Sequence, residues 1–216
     1  MKTILKLFIV FVLILITNGC ANFFITTEPT EPGTIRIGTQ TWTVKNLDVV
    51  TFRNGDSIPQ AKTIKEWDAA NNKKEAAWCY YRNDTLNINK YGKYYNWYAV
   101  NDARGLAPTG WHVPRLYEWE ILADYLGGFR VAGIKMKSSS GWGSLDSGNG
   151  TNSSGFNGLP GGSGFGHLAG YQGHWWCASE YSTNSATSFS LGASNSFLEG
   201  GPSFKFIAIS VRCVKD

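Results

Sequence analysis

Only one stretch of this chain carries a helical period. In PTGWHVPRLYEWEILADYLGG, residues 108–128, the side chains Trp119, Leu122, Ala123 and Leu126 fall at i, i+3, i+4 and i+7, which makes one apolar face. Gly127-Gly128 offers the stop, and Pro114 fits at or just before the first turn. Glu118, Glu120 and Asp124 occupy other faces and read as a solvated flank. Glu118 and Glu120 do not suit acid–base work, because residues two apart on a helix do not face each other.

The rest of the chain is written in short strands and turns. TIRIGTQTWTVKNL alternates Ile35, Ile37 and then Trp42, Val44 about a turn at Gly38, a hairpin pattern. Asn54-Gly55 is a strong turn dipeptide, and AWCYYRNDTLNINKYGKYYNWYAV is aromatic-dense and strand-like with breaks at NDT and Gly92. Residues 137–166 are mostly Gly, Ser and Asn with isolated Trp142, Phe156 and Phe165. Such composition commonly signals disorder, but spaced aromatics can pin long loops onto a core, so ordered loops are expected. Three strands should follow: HWWCASEY, ATSFSLGASN and KFIAISVRCVKD, the last burying Ile207, Ile209, Val211 and Cys213 on one face.

The N-terminus speaks to location. MKTILK is a basic n-region and Leu7 to Thr17 an apolar run, too short for a comfortable transmembrane helix and suited to a signal peptide over residues 1–19. Asn18-Gly19-Cys20 resembles a bacterial lipoprotein processing site, which implies lipidation of Cys20 and stable membrane anchoring through acyl chains. Residues 20–33, with Pro29 and Pro32, read as the lipidated Cys and a tether, and 34–216 as the domain. The expected location is therefore exported and membrane-anchored, at the outer membrane or surface of a bacterium. Loss of Lys2 and Lys6 would lower the formal charge from +4 to +2, and no basic cluster follows a phosphate backbone, so nucleic acid is not an expected partner.

Chemistry is hard to place on spacing alone. Cys79, Cys177 and Cys213 allow one disulfide and one leftover thiol, in any of three pairings, and have no zinc-type spacing. Cys177 and Cys213, on strands expected to be neighbours, read as a disulfide or as two buried thiols rather than a reactive pair. His112, His167 and His174 come with no metal motif; GFGHLA lacks the strand and helix a dinucleotide loop needs; Ser163 lacks a nucleophile elbow. No cofactor, metal or catalytic residue is assigned. Nine Trp and ten Tyr invite sugar stacking, although most must be core. Trp142, Phe165 and Tyr171 in the Gly/Ser-rich region are the candidates for exposure, with Asn184, Asn195 and Glu199 available in later loops.

Taken in order, IGTQTWTVKNL, AWCYYRND, YGKYYNWYAV, APTGWHVPRLYEWEILADYLGG, SGFNGLPGG, GHWWCASEY and ISVRCVKD resemble the Fibrobacter succinogenes major paralogous domain family, secreted or lipid-anchored bacterial proteins. GWHVPRLYEWEILADYL and SVRCV are also similar to segments of formylglycine-generating and related sulfatase-modifying domains. Together these resemblances imply an α+β, C-type-lectin-like fold: a twisted antiparallel sheet, about two helices and long ordered loops. They also imply that Cys177 departs from the family's usual Ser and, with Ala107 where members often carry Cys, could be a substitute disulfide partner for Cys213. The family pattern has Thr where this chain has Arg115, so the helix loses its natural N-cap. Calcium-dependent sugar signatures are absent. The expected function is a non-enzymatic recognition module for a glycan or protein, or a structural one, with Trp111 and Trp119 in the core and Arg212 paired with Glu180. The alternatives are an enzyme related to formylglycine-generating domains using Cys177 and Cys213, and a self-assembling envelope component.

Overall fold

The structure is a computed structural model that describes residues 31, 33–83, 88–143, 148–166 and 168–216. The signal peptide, Cys20 and His167 lie outside those residues. The fold is mixed α and β, with antiparallel sheets.

The expected hairpin forms from β1 (Thr34–Ile37) and β2 (Gln40–Thr43), with Ile35 opposite Trp42. It joins β9 (Val214–Lys215) and β5 (Trp111–His112) in the order β1-β2-β9-β5. A second sheet is a meander of β6 (Gln172–Glu180), β7 (Ser185–Gly192) and β8 (Leu198–Phe204). The aromatic-dense segment supplies a small pair, β3 (Trp78–Cys79) and β4 (Tyr94–Tyr95). Two single turns accompany it, α2 (Ile88–Tyr91) and α3 (Trp97–Val100). The long helices are α1 (Ile64–Asn72), α4 (Leu116–Tyr125) and α5 (Phe129–Met136). Periodicity finds only α4; α1 buries a single side chain, Trp67, so its sequence has no apolar stripe to detect.

The final strand differs from expectation. Residues 208–214 are all buried rather than alternating. This segment threads between layers, with Ile209 bridged to Tyr95 and Ser210 to Trp175, so both faces are covered. The third strand of the meander is instead β8, LEGGPSF, whose glycines and Pro202 hide it from a propensity reading; at a sheet edge the missing proline N–H is harmless.

Three apolar clusters make the core. The first packs Trp42, Trp119, Phe156, Trp175 and Phe189 beneath α4. Trp42 and Trp119 meet edge-on with centroids 5.0 Å apart, while Trp119 and Phe189 stack at 4.7 Å. The second cluster gathers Tyr95, Trp97, Trp176, Ile209, Val211 and Cys213, with Trp111 half-buried at its edge. The third holds Trp67, Cys79 and Tyr94.

The Gly/Ser-rich region is pinned as its aromatics suggest. Phe156 and Trp142 are buried, and the Trp142 indole donates to Ser138 Oγ at 3.0 Å and to the Gly158 carbonyl at 3.2 Å. Gly150 lies against the Lys137 backbone so closely that a Cβ there would collide with its carbonyl. Gly133 does the same for α5, whose backbone meets the Phe197 carbonyl of the β7–β8 loop. That loop is further held by the fully buried Lys137, whose Nζ donates to the carbonyls of Gly192 (3.1 Å) and Asn195 (2.8 Å).

Candidate functional site

The six loop residues expected to bind ligand do not form one surface. Trp142 is buried in the first cluster and unavailable to a ligand, because its indole plugs the loop it was expected to decorate. Phe165 is half-buried with its ring 5.5 Å from that of Trp67. Tyr171 is exposed at the start of β6, and Asn195 Nδ2 donates to Glu199 Oε1 at 3.1 Å in the neighbouring β7–β8 loop. Asn184 stands at the other end of β7, eight residues or about 27 Å away.

At the Asn184 end the structure builds a polar pocket of about 470 Å³, walled by Lys74, Tyr98, Glu180, Tyr181, Ser182, Thr183 and Lys205. Its floor is rigid. Lys205 is buried beneath the surface, 4.6 Å from the Trp97 ring centroid, and its Nζ donates to the Glu180 carboxylate and, at 2.8 Å, to the Thr183 carbonyl. Lys205, not Arg212, is thus the partner of Glu180. Above that floor Tyr181 is largely exposed and Tyr98 half-exposed, beside the Ser182 and Thr183 hydroxyls. Aromatic faces next to fixed polar groups are what a sugar-sized ligand needs: apolar area for a ring face, donors and acceptors for its hydroxyls. Of the expected ligand-binding residues only Asn184 lies next to this pocket in the chain, because the pocket joins turns separated by about a hundred residues.

A second cleft, of about 460 Å³, opens beside His112, Arg53, Arg115, Tyr117 and Asp216. Here Glu118 departs from the expected solvated flank. It is buried, with Oε1 2.7 Å from His112 Nε2, while His112 Nδ1 lies 2.7 Å from Asp216 Oδ1. Burial works against the charged imidazole, but its hydrogen bonds to Asp216 and Glu118 prevail and its pKa is raised. An imidazolium donating both N–H groups to carboxylates has no lone pair left to act as base or nucleophile. The trio therefore acts as a clasp between β5, α4 and the end of β9.

Cys79, Cys177 and Cys213 are all free, buried thiols, so none of the expected disulfide pairings is formed. Cys177 packs in the first core cluster and Cys213 in the second, which separates two residues that strand order alone makes neighbours. Burial raises the pKa of each, that of Cys213 to about 12, against the thiolate form that reactive cysteines use. Among the described residues, no group of three or more His, Cys, Asp and Glu side chains could hold a metal ion, and no helix is long and apolar enough to cross a membrane.

Comparison with known families places this architecture. The sequence matches the Fibrobacter succinogenes major domain family over residues 35–215. The chain belongs to that family. Within this Fibrobacter succinogenes major domain, the match runs from Ile35 in β1 to Lys215 in β9 and so includes all three buried thiols and every residue of both clefts except Asp216. No curated protein and no solved structure matches the chain.

Proposed function

We propose that this Fibrobacter succinogenes major domain is a non-enzymatic recognition module, held at the bacterial envelope by lipid on Cys20 and binding an extracellular glycan or protein. The observation that carries the reading is the pocket lined by the half-exposed Tyr98 and the exposed Tyr181, together with a Glu180–Lys205 pair that is already formed. A site whose polar groups are fixed before binding loses little entropy when a ligand arrives. The architecture fits a C-type-lectin-like assignment: helices against twisted antiparallel strands, with long loops pinned by aromatics. Screening the chain on a glycan array tests the function. Saturable binding that falls at least about tenfold in Tyr181→Ala supports it, since stacking contacts carry energy of that order; binding indifferent to that change moves the function elsewhere.

A second reading, self-assembly in the envelope, is favoured by the outer face of α4, where Tyr117, Ile121 and Tyr125 stand exposed at i, i+4 and i+8. Concentration-dependent sedimentation abolished by Ile121→Glu would support assembly through this stripe, and a monomer at all concentrations would dismiss it.

A further inference from the structure

Among the described residues, Arg212 is one of the largest fully buried side chains. Its side chain is 1 % exposed, yet among the described residues no carboxylate pairs with it. Neutral oxygens hold it instead. Nε donates to Asn46 Oδ1 at 2.7 Å, Nη1 to the carbonyls of Thr43 (2.7 Å) and Phe156 (2.8 Å), and Nη2 to that of Asn157 (3.2 Å). A guanidinium carries five N–H groups. These bonds use four, so one N–H on Nη2 has no partner among the described residues. Carbonyl dipoles repay only part of the cost of burying a full charge, which is why burial drives the pKa of Arg212 down to about 9.

The guanidinium lies over the buried Phe156 ring, 4.5 Å from its centroid. Arg212 also lines a separate cavity of about 450 Å³, together with Lys45, Asn46, Asp48, Lys90 and Tyr91. The one carboxylate there, Asp48, is already engaged by Lys93. Lys90 lies over the Tyr91 ring at 4.9 Å and, like Lys45, has no anionic partner among the described residues. The wall is also built to hold its shape. Asn46 Oδ1 takes a second hydrogen bond from Trp175 Nε1 at 2.8 Å, and its amide donates to the Tyr91 carbonyl at 2.8 Å. Arg212, with one N–H unpartnered among the described residues, and the exposed Lys45 and Lys90 line the same concave space, a set of donors that suits an oxyanion. The space is far larger than a lone oxyanion fills, so the anion should arrive attached to a ring-sized body.

We infer that the cavity bounded by Lys45, Asn46, Lys90, Asn157 and Arg212 binds the carboxylate or sulfate group of an acidic saccharide. This rests on the recognition reading above and specifies a ligand class for the same module at a second site. The guanidinium supplies orientation, and the two lysines draw the anion in with a salt-dependent attraction.

The test uses the full chain in mild detergent, titrated with an oligogalacturonate, a sulfated oligosaccharide, their neutral counterpart and inorganic sulfate. Tryptophan fluorescence reads the result, because Trp175 shares its acceptor with Arg212. Arg212 holds four carbonyl-type acceptors and its loss could unfold the protein, so the variants are the exposed Lys45→Ala and Lys90→Ala combined. The expected result is that at least one acidic oligosaccharide binds about tenfold or more tightly than the neutral one, and loses about tenfold in the double variant and in high salt. Equal affinity for acidic and neutral sugars, or acidic binding untouched by the double variant, overturns the inference. Inorganic sulfate binding as tightly as the oligosaccharides overturns the saccharide as the ligand body. Tyr181→Ala separates the two readings: neutral-sugar binding lost in that variant, with no acidic preference anywhere, leaves the recognition pocket standing and removes this site alone.

Discussion

Glu118 shows how a single residue changes meaning between sequence and structure. On the helical wheel it sits off the apolar face and reads as solvated, yet β5 brings His112 against it and Gln40 donates to its backbone carbonyl at 3.0 Å. The resulting clasp has a pH dependence with a definite sign. Because the folded pKa of His112 is raised above its ordinary 6.5, its stabilisation is fully present below that value and is lost as pH rises through the folded pKa. A His112→Gln variant should therefore melt well below the wild type at about pH 6, with the gap shrinking by about pH 9. A gap that is constant or grows across that window, read by thermal unfolding, would contradict the clasp. Trp119 offers a smaller lesson: its indole N–H is buried without a partner among the described residues, whereas that of Trp42 reaches Gln40 Oε1 at 3.2 Å. Both sit in the core where hydrophobicity puts them, but only the surrounding chain decides which polar atom is met.

At the scale of elements, helix starts repay attention. Helix α1 begins with a complete capping box, Thr63 Oγ1 accepting from the Glu66 amide at 3.2 Å and the Glu66 carboxylate from the Thr63 amide at 3.1 Å. Helix α4 has Arg115 at that place, and an arginine side chain cannot accept. Its first turn is satisfied from elsewhere: Ser179 Oγ of β6 accepts from the Leu116 amide at 3.0 Å, and Glu118 Oε2 accepts from the Arg115 amide at 2.8 Å. Half of the box thus survives and a strand supplies part of the rest. Restoring the cap with Arg115→Thr should stabilise the protein by about 1 kcal/mol, measured by denaturant unfolding; no gain would mean that Ser179 already replaces the cap in full. The existence of α4 and the need for a substitute cap are both legible in GWHVPRLYEWEILADYL. The identity of the substitute is not, since Ser179 lies 63 residues away from Leu116.

At the scale of the molecule, the layers govern the cysteines. Three thiols behind an N-terminus that reads as an export signal suggest a disulfide, but the fold distributes Cys177, Cys213 and Cys79 among its three separate apolar clusters. Alkylation under native conditions should leave all three almost unmodified, and denaturation without reductant should release three reactive thiols, with rates rising by on the order of a hundredfold or more. Mass mapping that finds a cross-linked pair among them would refute this arrangement. The same layering explains why the ligand candidates scatter: Tyr171 and Asn195 belong to one end of the meander, Asn184 to the other, and Trp142 to the core.

What the sequence determined by itself is local or cumulative. The β1–β2 hairpin follows from alternation about a turn, α4 from a 3.6-residue period, the order of the Gly/Ser-rich loops from spaced aromatics, and family membership from motifs in series. Helix α1, strand β8, the Lys205–Glu180 floor, the His112 clasp and the Arg212 cavity were decided only by tertiary structure. Each depends on which side chain arrives from a distant segment, and a buried charge or thiol takes its chemistry from those arrivals rather than from its neighbours in the chain.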